Sequence, residues 1–203
     1  MNELRLPVLY RKGVVNRSFI KFSVGLLARV YLYLKYWIWR SVARIRGAKI
    51  GSGSIIEFGL AKKANKNLII GEDTIVETCK IDLRDKVVIG NHCIINRDVE
   101  IIRLSHIIDD SRTFETKRPQ PLIISDYCWL ATGSKILPSV SMISKGSVIG
   151  AYSVLVKDTE DMAVYSGFPA KELRKHSTIF DQLIVVSLKG GDLLYYFKAR
   201  YAK

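Results

Sequence analysis

An all-β core, built as a solenoid of short strands, is the fold that the sequence predicts. The main observation is a six-residue rhythm, because an aliphatic residue recurs about every six positions between residues 70 and 155. Three sides with one inward aliphatic each close a triangular turn, and successive turns bury these side chains against each other. Amphipathic helices would need a period of about 3.6 residues, and hairpins would need turn signals between longer strands. The series is Ile70, Val76, Leu83, Ile89, Ile95, Ile101, Ile124, Leu130, Ile136, Ile143, Ile149 and Leu155.

A second regularity supports the same fold. The residues four positions after these aliphatics are small or β-branched, with Lys80 as an exception. Cys93 and Cys128 fall in this set, so we expect both to be structural core residues. The set is Thr74, Val87, Cys93, Val99, Cys128, Ser134, Val140, Ser147 and Ser153. Glycines that help tight turns directly follow an aliphatic at Gly51, Gly71, Gly90 and Gly150.

The charge of the chain is concentrated at one end. The 203 residues include 32 Lys and Arg against 19 Asp and Glu, a net charge of +13, yet residues 1–49 hold eleven basic residues and one acid. No basic stripe runs through the remaining sequence, which argues against a nucleic-acid-binding protein. We predict a basic amphipathic helical segment at 1–47, the solenoid at 48–166 with a loop extruded at 104–121, and a C-terminal appendage at 167–203.

The N-terminal segment has two faces when residues 17–46 are plotted at 100° per residue. One face is apolar and the other is mainly basic, a pattern suited to an anionic membrane interface. We expect either peripheral membrane contact through residues 14–46, or packing on the domain or a sister subunit with a solvated basic face. The apolar side has Ile20, Leu27, Val30, Tyr31, Leu34, Trp37, Ile38, Val42 and Ile45, and the basic side has Arg17, Lys21, Arg29, Lys35, Arg40, Arg44 and Arg46.

The sequence indicates neither a transmembrane helix nor a cleaved signal peptide. No run of about 18 apolar residues occurs, since Arg29 and Lys35 interrupt the most apolar stretch. Basic and apolar residues are interleaved, whereas a signal peptide keeps them in separate blocks. We expect a cytoplasmic protein, either free or peripheral on the inner face of the membrane.

Four stretches of the chain resemble the hexapeptide-repeat acyltransferases, in the order of that family and with nearly its spacing. They are IGNHCIINRDVEIIRLSH (89–106), PLIISDYCWLATGSKILPSV (121–140), SVIGAYSVLVKD (147–158) and SGFPAKELRK (166–175). The chain is most similar to the sugar O-acetyltransferases, which include maltose, galactoside and surface-polysaccharide acetyltransferases. The resemblance implies a left-handed parallel β-helix, acetyl-CoA as acyl donor and a homotrimer with active sites between subunits. It also implies a sugar hydroxyl as acceptor, in biosynthesis of a capsule, O-antigen or exopolysaccharide.

The resemblance assigns the catalytic role to His106. The repeat is interrupted between Ile101 and Ile124, and His106 stands at the root of the intervening polar segment. The family uses a histidine in this position as general base, and imidazole suits proton transfer near neutral pH. His92 and His176 are expected at the surface. The sequence leaves open which carboxylate orients His106, with Asp82, Asp85, Asp98, Asp109 and Asp110 as candidates.

The resemblance also implies a set of residues for coenzyme A and acceptor. Small residues next to the thiol arm, a tryptophan beside the active site and cations near the phosphates form the cofactor set. These are Trp129, Ala131, Gly150, Ala151, Lys157, Pro169, Lys171 and Arg174, while Asp82, Asp98 and Arg103 are predicted to bind substrate. The sequence departs from the family pattern near this groove at Ser139, Met142, Ser144, Val156 and Phe168.

Three other functions can be weighed against sugar O-acetylation. The same fold supports N-acetylation of an amino-sugar nucleotide, and an inactive, membrane-associated scaffold is a further alternative. Zinc hydration chemistry needs three histidine ligands on neighbouring turns. It is rejected because His176 lies beyond the repeat, so we expect no metal. In the tail, residues 183–186 look like a strand, Gly190-Gly191 like a turn and residues 193–203 like a helix.

Overall fold

The computed structural model describes residues 6–106, 117–119, 121–179 and 183–201. The helices are α1 (Val8–Val15), α2 (Phe19–Ile45), α3 (Phe58–Lys63) and α4 (Leu193–Tyr201), with a 3-10 helix at Val185–Lys189. The strands are β1 (Lys49–Ile50), β2 (Ile55–Ile56), β3 (Leu68–Ile70), β4 (Ile75–Val76), β5 (Val87–Ile89), β6 (Ile94–Ile95), β7 (Glu100–Ile101), β8 (Leu104–His106), β9 (Lys117–Pro119), β10 (Leu122–Ile124), β11 (Trp129–Leu130), β12 (Lys135–Ile136), β13 (Met142–Ile143), β14 (Val148–Ile149), β15 (Val154–Leu155), β16 (Ala163–Gly167) and β17 (Ala170–Lys175).

These short strands form a parallel β-solenoid of about five turns, as predicted. The first sheet has the order β1-β3-β5-β10-β13 and the third has β7-β12-β15. The second has β2-β4-β6-β11-β14-β16-β17, in which only β17 is antiparallel. Every aliphatic residue of the predicted series is buried, and so is every residue of the small or β-branched set. Stacking each turn on its neighbours therefore creates one continuous apolar core.

The structure corrects the repeat at two places. In the third sheet the partner of Ile101 on the preceding turn is Ile81, and Leu83 is buried at the following corner. The stack thus steps five residues from Val76 to Ile81 rather than seven to Leu83. The predicted series begins at Ile70 and so leaves out the first turn, where Ile50 and Ile56 are six residues apart. The rhythm ends there after two sides, because α3 forms the third side of this turn.

Glycine is required where successive turns approach at the first corner. A Cβ atom on Gly51 would lie 2.3 Å from the carbonyl oxygen of Gly71, and one on Gly71 would lie 2.7 Å from that of Gly90. Real Cβ atoms do not come this close to backbone. The glycines therefore permit close approach between turns, in addition to helping the bend.

Helix α2 packs on the first turn of the solenoid. Arginines of the face that was expected in solvent make contacts with that turn. Arg40 Nη1 donates to Ser54 O at 2.7 Å and Arg44 Nη2 donates to Ile50 O at 2.5 Å. Burial lowers the pKa of Arg40, and the neighbouring positive charge of Arg44 acts in the same direction. The outer side of the helix is mainly apolar. The prediction of a solvated basic face is wrong for buried Arg40 and half-buried Arg29, whereas Arg17, Lys21, Arg44 and Arg46 are exposed.

The C-terminal residues pack against the helices at this same end. Residues 185–189 form a 3-10 helix, so the predicted strand there is wrong, and α4 confirms the helix-like end. The Phe22 and Tyr196 rings stack with centroids 4.9 Å apart. Buried Asp192 accepts from Arg29 Nε at 2.8 Å. It also accepts from the Tyr10 hydroxyl, whose pKa is raised by burial and by this hydrogen bond.

No helix in the described residues has the length and apolar character needed to cross a bilayer. The division of the chain into segments at residues 47 and 166 stays a prediction.

Candidate active site

The third turn carries an arm at the point where the repeat is interrupted. Strand β8 leaves the solenoid after the corner at residues 102–103 and pairs antiparallel with β9, and the solenoid resumes at β10. His106 is the last residue of β8 and lies opposite Lys117 in the ladder. The predicted extruded loop therefore has a two-stranded root. Residues 107–116, including Asp109 and Asp110, lie outside the described residues.

Asp82 and Asp98 lie at different corners of the solenoid, so the structure does not bring these predicted substrate ligands together. Asp82 pairs with Arg84 at 2.8 Å, and this hydrogen bond lowers the pKa of Asp82. Asp98 pairs with Lys80 at 2.8 Å, which lowers the pKa of Asp98. Asp82 lines an open pocket of about 790 Å³ with Glu100, and Asp98 lines a separate pocket of about 510 Å³ below α2.

Arg103 occupies the corner directly before the arm and is completely buried. Its Nη2 atom donates to Val140 O at 2.8 Å and to Pro138 O at 3.3 Å, and Nη1 donates to Leu137 O at 3.4 Å. Burial lowers its pKa, while Asp85, Asp82 and Asp158 oppose that effect. These contacts tie the third turn to the fourth, and the substrate-binding role of Arg103 stays a prediction.

Asp85 lies at the corner one turn before the arm. Its Oδ1 atom accepts the Lys86 N–H at 2.6 Å. Its Oδ2 atom is buried and has no hydrogen-bond partner among the residues that the structure describes. A buried carboxylate oxygen without a partner is costly, so Asp85 retains unused capacity to accept a hydrogen bond near the root of the arm.

Trp129 lies on the outer side of the second sheet and is partly exposed. Its indole Nε1 donates to Asn96 Oδ1 at 2.7 Å, and Asn96 Nδ2 donates to Glu77 Oε2 at 3.2 Å. Sequence reasoning missed Asn96 and Glu77. Each directly follows a buried aliphatic of the second sheet, and this shared position is the signal that could have found them.

Ala131 and Gly150 occupy equivalent positions on the fourth and fifth turns. The Ala131 N–H donates to Ile149 O at 2.9 Å, and the Gly150 N–H donates to Tyr165 O at 2.8 Å. A Cβ atom on Gly150 would lie 2.8 Å from Ser166 Oγ, so this position has little room for a side chain. Ala151 is exposed beside it.

The remaining predicted cofactor residues lie at the end of the solenoid beyond the fourth turn. Strands β16 and β17 form a hairpin whose tip holds the cis peptide between Phe168 and Pro169. Lys171 and Arg174 extend from β17, and Lys157 follows β15; all three are exposed. The structure thus places these cations on the same terminal part of the solenoid as Gly150.

Comparison with known proteins extends this picture to relatives, although no model of a known protein family matches the chain. A putative acetyltransferase of Saccharomyces cerevisiae is 36% identical over 124 residues, which are 61% of this chain and 57% of that protein. The galactoside O-acetyltransferase of Lactococcus lactis is 32% identical over 124 residues, 61% of this chain and 54% of that enzyme. The chain therefore spans little more than half the length of these two relatives.

The fold of the chain matches a hexapeptide-repeat-containing acetyltransferase of Vibrio cholerae. The TM-score is 0.61 at 21% identity, over 76% of this chain and 92% of that one. A structure of the Vibrio protein in complex with acetyl coenzyme A matches with a TM-score of 0.57 at 23% identity, over 83% and 85% of the two chains. At these identities the likeness shows a shared fold.

The match with a third relative extends over a larger share of that relative's length. The putative colanic acid biosynthesis acetyltransferase WcaF of Escherichia coli is 30% identical over 139 residues, which are 68% of this chain and 75% of that protein. With the buried six-residue repeat and the shared solenoid, this match shows that the chain belongs to the hexapeptide-repeat acetyltransferase family.

Proposed function

We propose that the chain is an acetyl-CoA-dependent O-acetyltransferase that acts on a sugar hydroxyl, with His106 as general base. The observation that carries the proposal is the position of His106 on the arm formed by β8 and β9, which interrupts the third turn. Family membership supports acetyl transfer. The similarity to a galactoside O-acetyltransferase and to a putative colanic acid biosynthesis acetyltransferase supports a saccharide acceptor in surface-polysaccharide biosynthesis.

The proposed chemistry needs no acyl-enzyme. His106 accepts the proton of the acceptor hydroxyl while that oxygen attacks the thioester carbonyl. The tetrahedral intermediate then expels the thiolate of coenzyme A, which takes the proton from the imidazolium. The products are an acetyl ester and free coenzyme A. General-base catalysis of this kind contributes about 10²–10⁴-fold in rate.

We propose that the donor lies along the fourth and fifth turns. Ala131, Gly150 and Ala151 would leave room for the pantetheine arm, next to the Trp129 ring. The cations at the solenoid end, Lys157, Lys171 and Arg174, with Pro169 between the strands of the hairpin, would face the nucleotide phosphates. Arg and Lys suit this task because they donate charge-assisted hydrogen bonds to phosphate oxygens.

For the orientation of His106 we propose Asp85. Among the described candidates, Asp82 and Asp98 already accept from Arg84 and Lys80, whereas Asp85 Oδ2 has an unused position. We retain Asp82 as a substrate ligand, since it lines the pocket beside the corner of the arm. Asp98 belongs to a different pocket, and the buried side chain of Arg103 is held by carbonyls of the fourth turn. A homotrimer with sites between subunits remains part of the proposal.

The test is a thiol-release assay with acetyl-CoA and a panel of purified sugars, amino sugars and nucleotide sugars. We expect His106→Ala to lower kcat by about 10²–10⁴-fold with an unchanged melting temperature. The matched control is His92→Ala, since His92 stacks on Tyr127 at 5.1 Å, away from the arm. Equal activity of His106→Ala and the unsubstituted chain would overturn the mechanism. Transfer to amines alone would point to N-acetylation, and no transfer to any acceptor would favour an inactive scaffold.

Asp85→Asn tests the positioning role separately. We expect a lower kcat, a little-changed KM for acetyl-CoA and a shifted pH profile, because an amide cannot stabilise an imidazolium as a carboxylate does. An unaltered pH profile would assign Asp85 to structure alone.

A further inference from the structure

Helix α2 exposes an uncharged strip along its whole length. The strip runs for about 40 Å, given 27 residues at about 1.5 Å each. Isolated exposed apolar residues are ordinary on a protein surface, but a continuous strip of this length marks an interaction site. The outward strip, as we name it, consists of Phe19, Ile20, Val24, Leu27, Val30, Tyr31, Leu34, Trp37, Ile38 and Ile45.

The orientation of this strip is fixed by the opposite face of the helix. Arg40 and Arg44 donate to carbonyl oxygens of the first turn, and Arg29 pairs with buried Asp192. Turning the strip inward would break these bonds and expose the aromatic rings of Phe22 and Tyr36, which are now buried. The strip therefore faces outward because the polar face is held by the domain.

Charge around the strip indicates what covers it. Residues 6–46 contain nine Lys and Arg and no Asp or Glu, and α4 likewise contains basic residues but no acid. Lys21 and Lys35 are 14 residues apart, so they lie along the same border of the strip, near its apolar residues. Helices α1 and α4 add exposed apolar side chains at Val8, Leu9, Val15, Leu194, Phe197 and Tyr201.

A second copy of the chain fits this surface poorly. Two copies that met through the outward strip would bring their cationic borders together, and none of the three helices offers a carboxylate to neutralise them. An anionic bilayer satisfies both features, because apolar side chains enter the headgroup boundary while Lys and Arg meet the phosphates. Tryptophan and tyrosine, here Trp37 and Tyr31, are favoured at that depth.

We propose that the outward strip of α2 docks on the surface of a bilayer that contains anionic phospholipid, with the helix lying in the plane of the interface. Lateral packing of α2 on the first turn and on α4 keeps the helix beside the domain. The proposal is independent of acetyl transfer, so His106→Ala should bind vesicles as the unsubstituted chain does.

The first test is flotation of the full chain with vesicles of phosphatidylcholine, with and without phosphatidylglycerol. We expect binding to the anionic vesicles that weakens at about 0.5 M salt. Leu27→Glu, at a position 71% exposed, should weaken binding by at least about tenfold. The matched control is Leu173→Glu, 66% exposed on β17 at the other end of the solenoid, which should bind unchanged.

The second test first measures the unsubstituted chain, so its main result does not depend on how a variant folds. Brominated lipids in the anionic vesicles should quench the fluorescence of Trp37, and Trp37→Phe should remove most of that quenching. Absence of quenching, absence of binding to anionic vesicles, or equal binding of Leu27→Glu would overturn the proposal. If Leu27→Glu lowered the oligomeric state in sedimentation without altering vesicle binding, the strip would be an interface between copies, which also overturns it.

Discussion

The solenoid and helix α2 distribute their side chains in opposite ways. In the solenoid the aliphatic residues point inward and stack from turn to turn. In α2 three arginines bond to the domain, while most of the large apolar side chains of the helix are exposed. The difference arises from what each surface needs. The backbone N–H and C=O groups of an interior turn bond to the two neighbouring turns, but the first turn has a neighbour on one side only.

The arginines of α2 occupy the place of a missing turn. Within the solenoid, the N–H of Ile55 donates to Thr74 O, and the N–H of Gly51 donates to Ile70 O. The equivalent carbonyls of the first turn, Ser54 O and Ile50 O, have no earlier turn and accept from Arg40 and Arg44 instead. Hydrogen bonding at the edge of the sheets thus outweighs the tendency of the apolar face to seek burial.

The largest expected difference in the free energy of unfolding is between substitutions of one leucine in each region. Leu130→Ala removes a fully buried side chain of the solenoid and should lower the free energy of unfolding by about 3 kcal/mol. Leu27→Ala, on the outward strip, should change it by less than about 0.5 kcal/mol in the absence of membranes. Urea unfolding measures both. Similar losses for the two variants would mean that the strip is covered in solution.

A smaller effect is expected at the edge of the first turn. Arg40→Ala leaves Ser54 O without its donor in a buried setting and should cost about 2 kcal/mol. Arg46→Ala is the control, because Arg46 is exposed and donates to Ala64 O at 3.2 Å; we expect less than about 0.5 kcal/mol. Hydrogen exchange should also quicken in the first turn of the Arg40 variant. Unchanged exchange there would contradict the edge-capping role.

The smallest effect concerns an ion pair at a solenoid corner. Arg84 holds the pKa of Asp82 below its ordinary value of 3.8, so the pair stabilises the fold above that pH and the contribution disappears as the pH falls through the lowered pKa. Because Arg84 is largely exposed and water screens the pair, we expect Arg84→Ala to lower the free energy of unfolding only slightly at neutral pH, less than either Leu130→Ala or Arg40→Ala does. Denaturant unfolding at several pH values should show this difference vanish in acid. A difference that grew in acid would contradict the assignment.

The sequence predicts the parts of the fold that follow from a local period. Every aliphatic residue of the six-residue series is buried, and the one misplaced member, Leu83, lies two residues from the stacked Ile81. The orientation of α2 could not be predicted from amphipathicity, because it depends on carbonyls of the first turn that no local pattern reveals. The apolar run at Val185 and Val186 looked like a strand, yet it forms a 3-10 helix in the cluster that packs over the second sheet.

The parts of the candidate site that could be predicted are those marked by a local change in the sequence pattern. The interruption after Ile101 marks the arm with His106. The bond between Trp129 and Asn96 joins residues 33 positions apart, and the burial of Arg103 depends on carbonyls of the following turn. Such contacts arise from stacking and have no signature within one repeat.

The two ends of the solenoid also have a bearing on assembly. Open parallel edges would let one molecule add to the next and grow into a fibre. Here the arginines of α2 bind two edge carbonyls at one end, and the antiparallel strand β17 covers the edge of the second sheet at the other. Neither α2 nor β17 belongs to the repeat. An additional copy of an interior turn could therefore be inserted between them, and the solenoid would lengthen while both ends kept their covering elements.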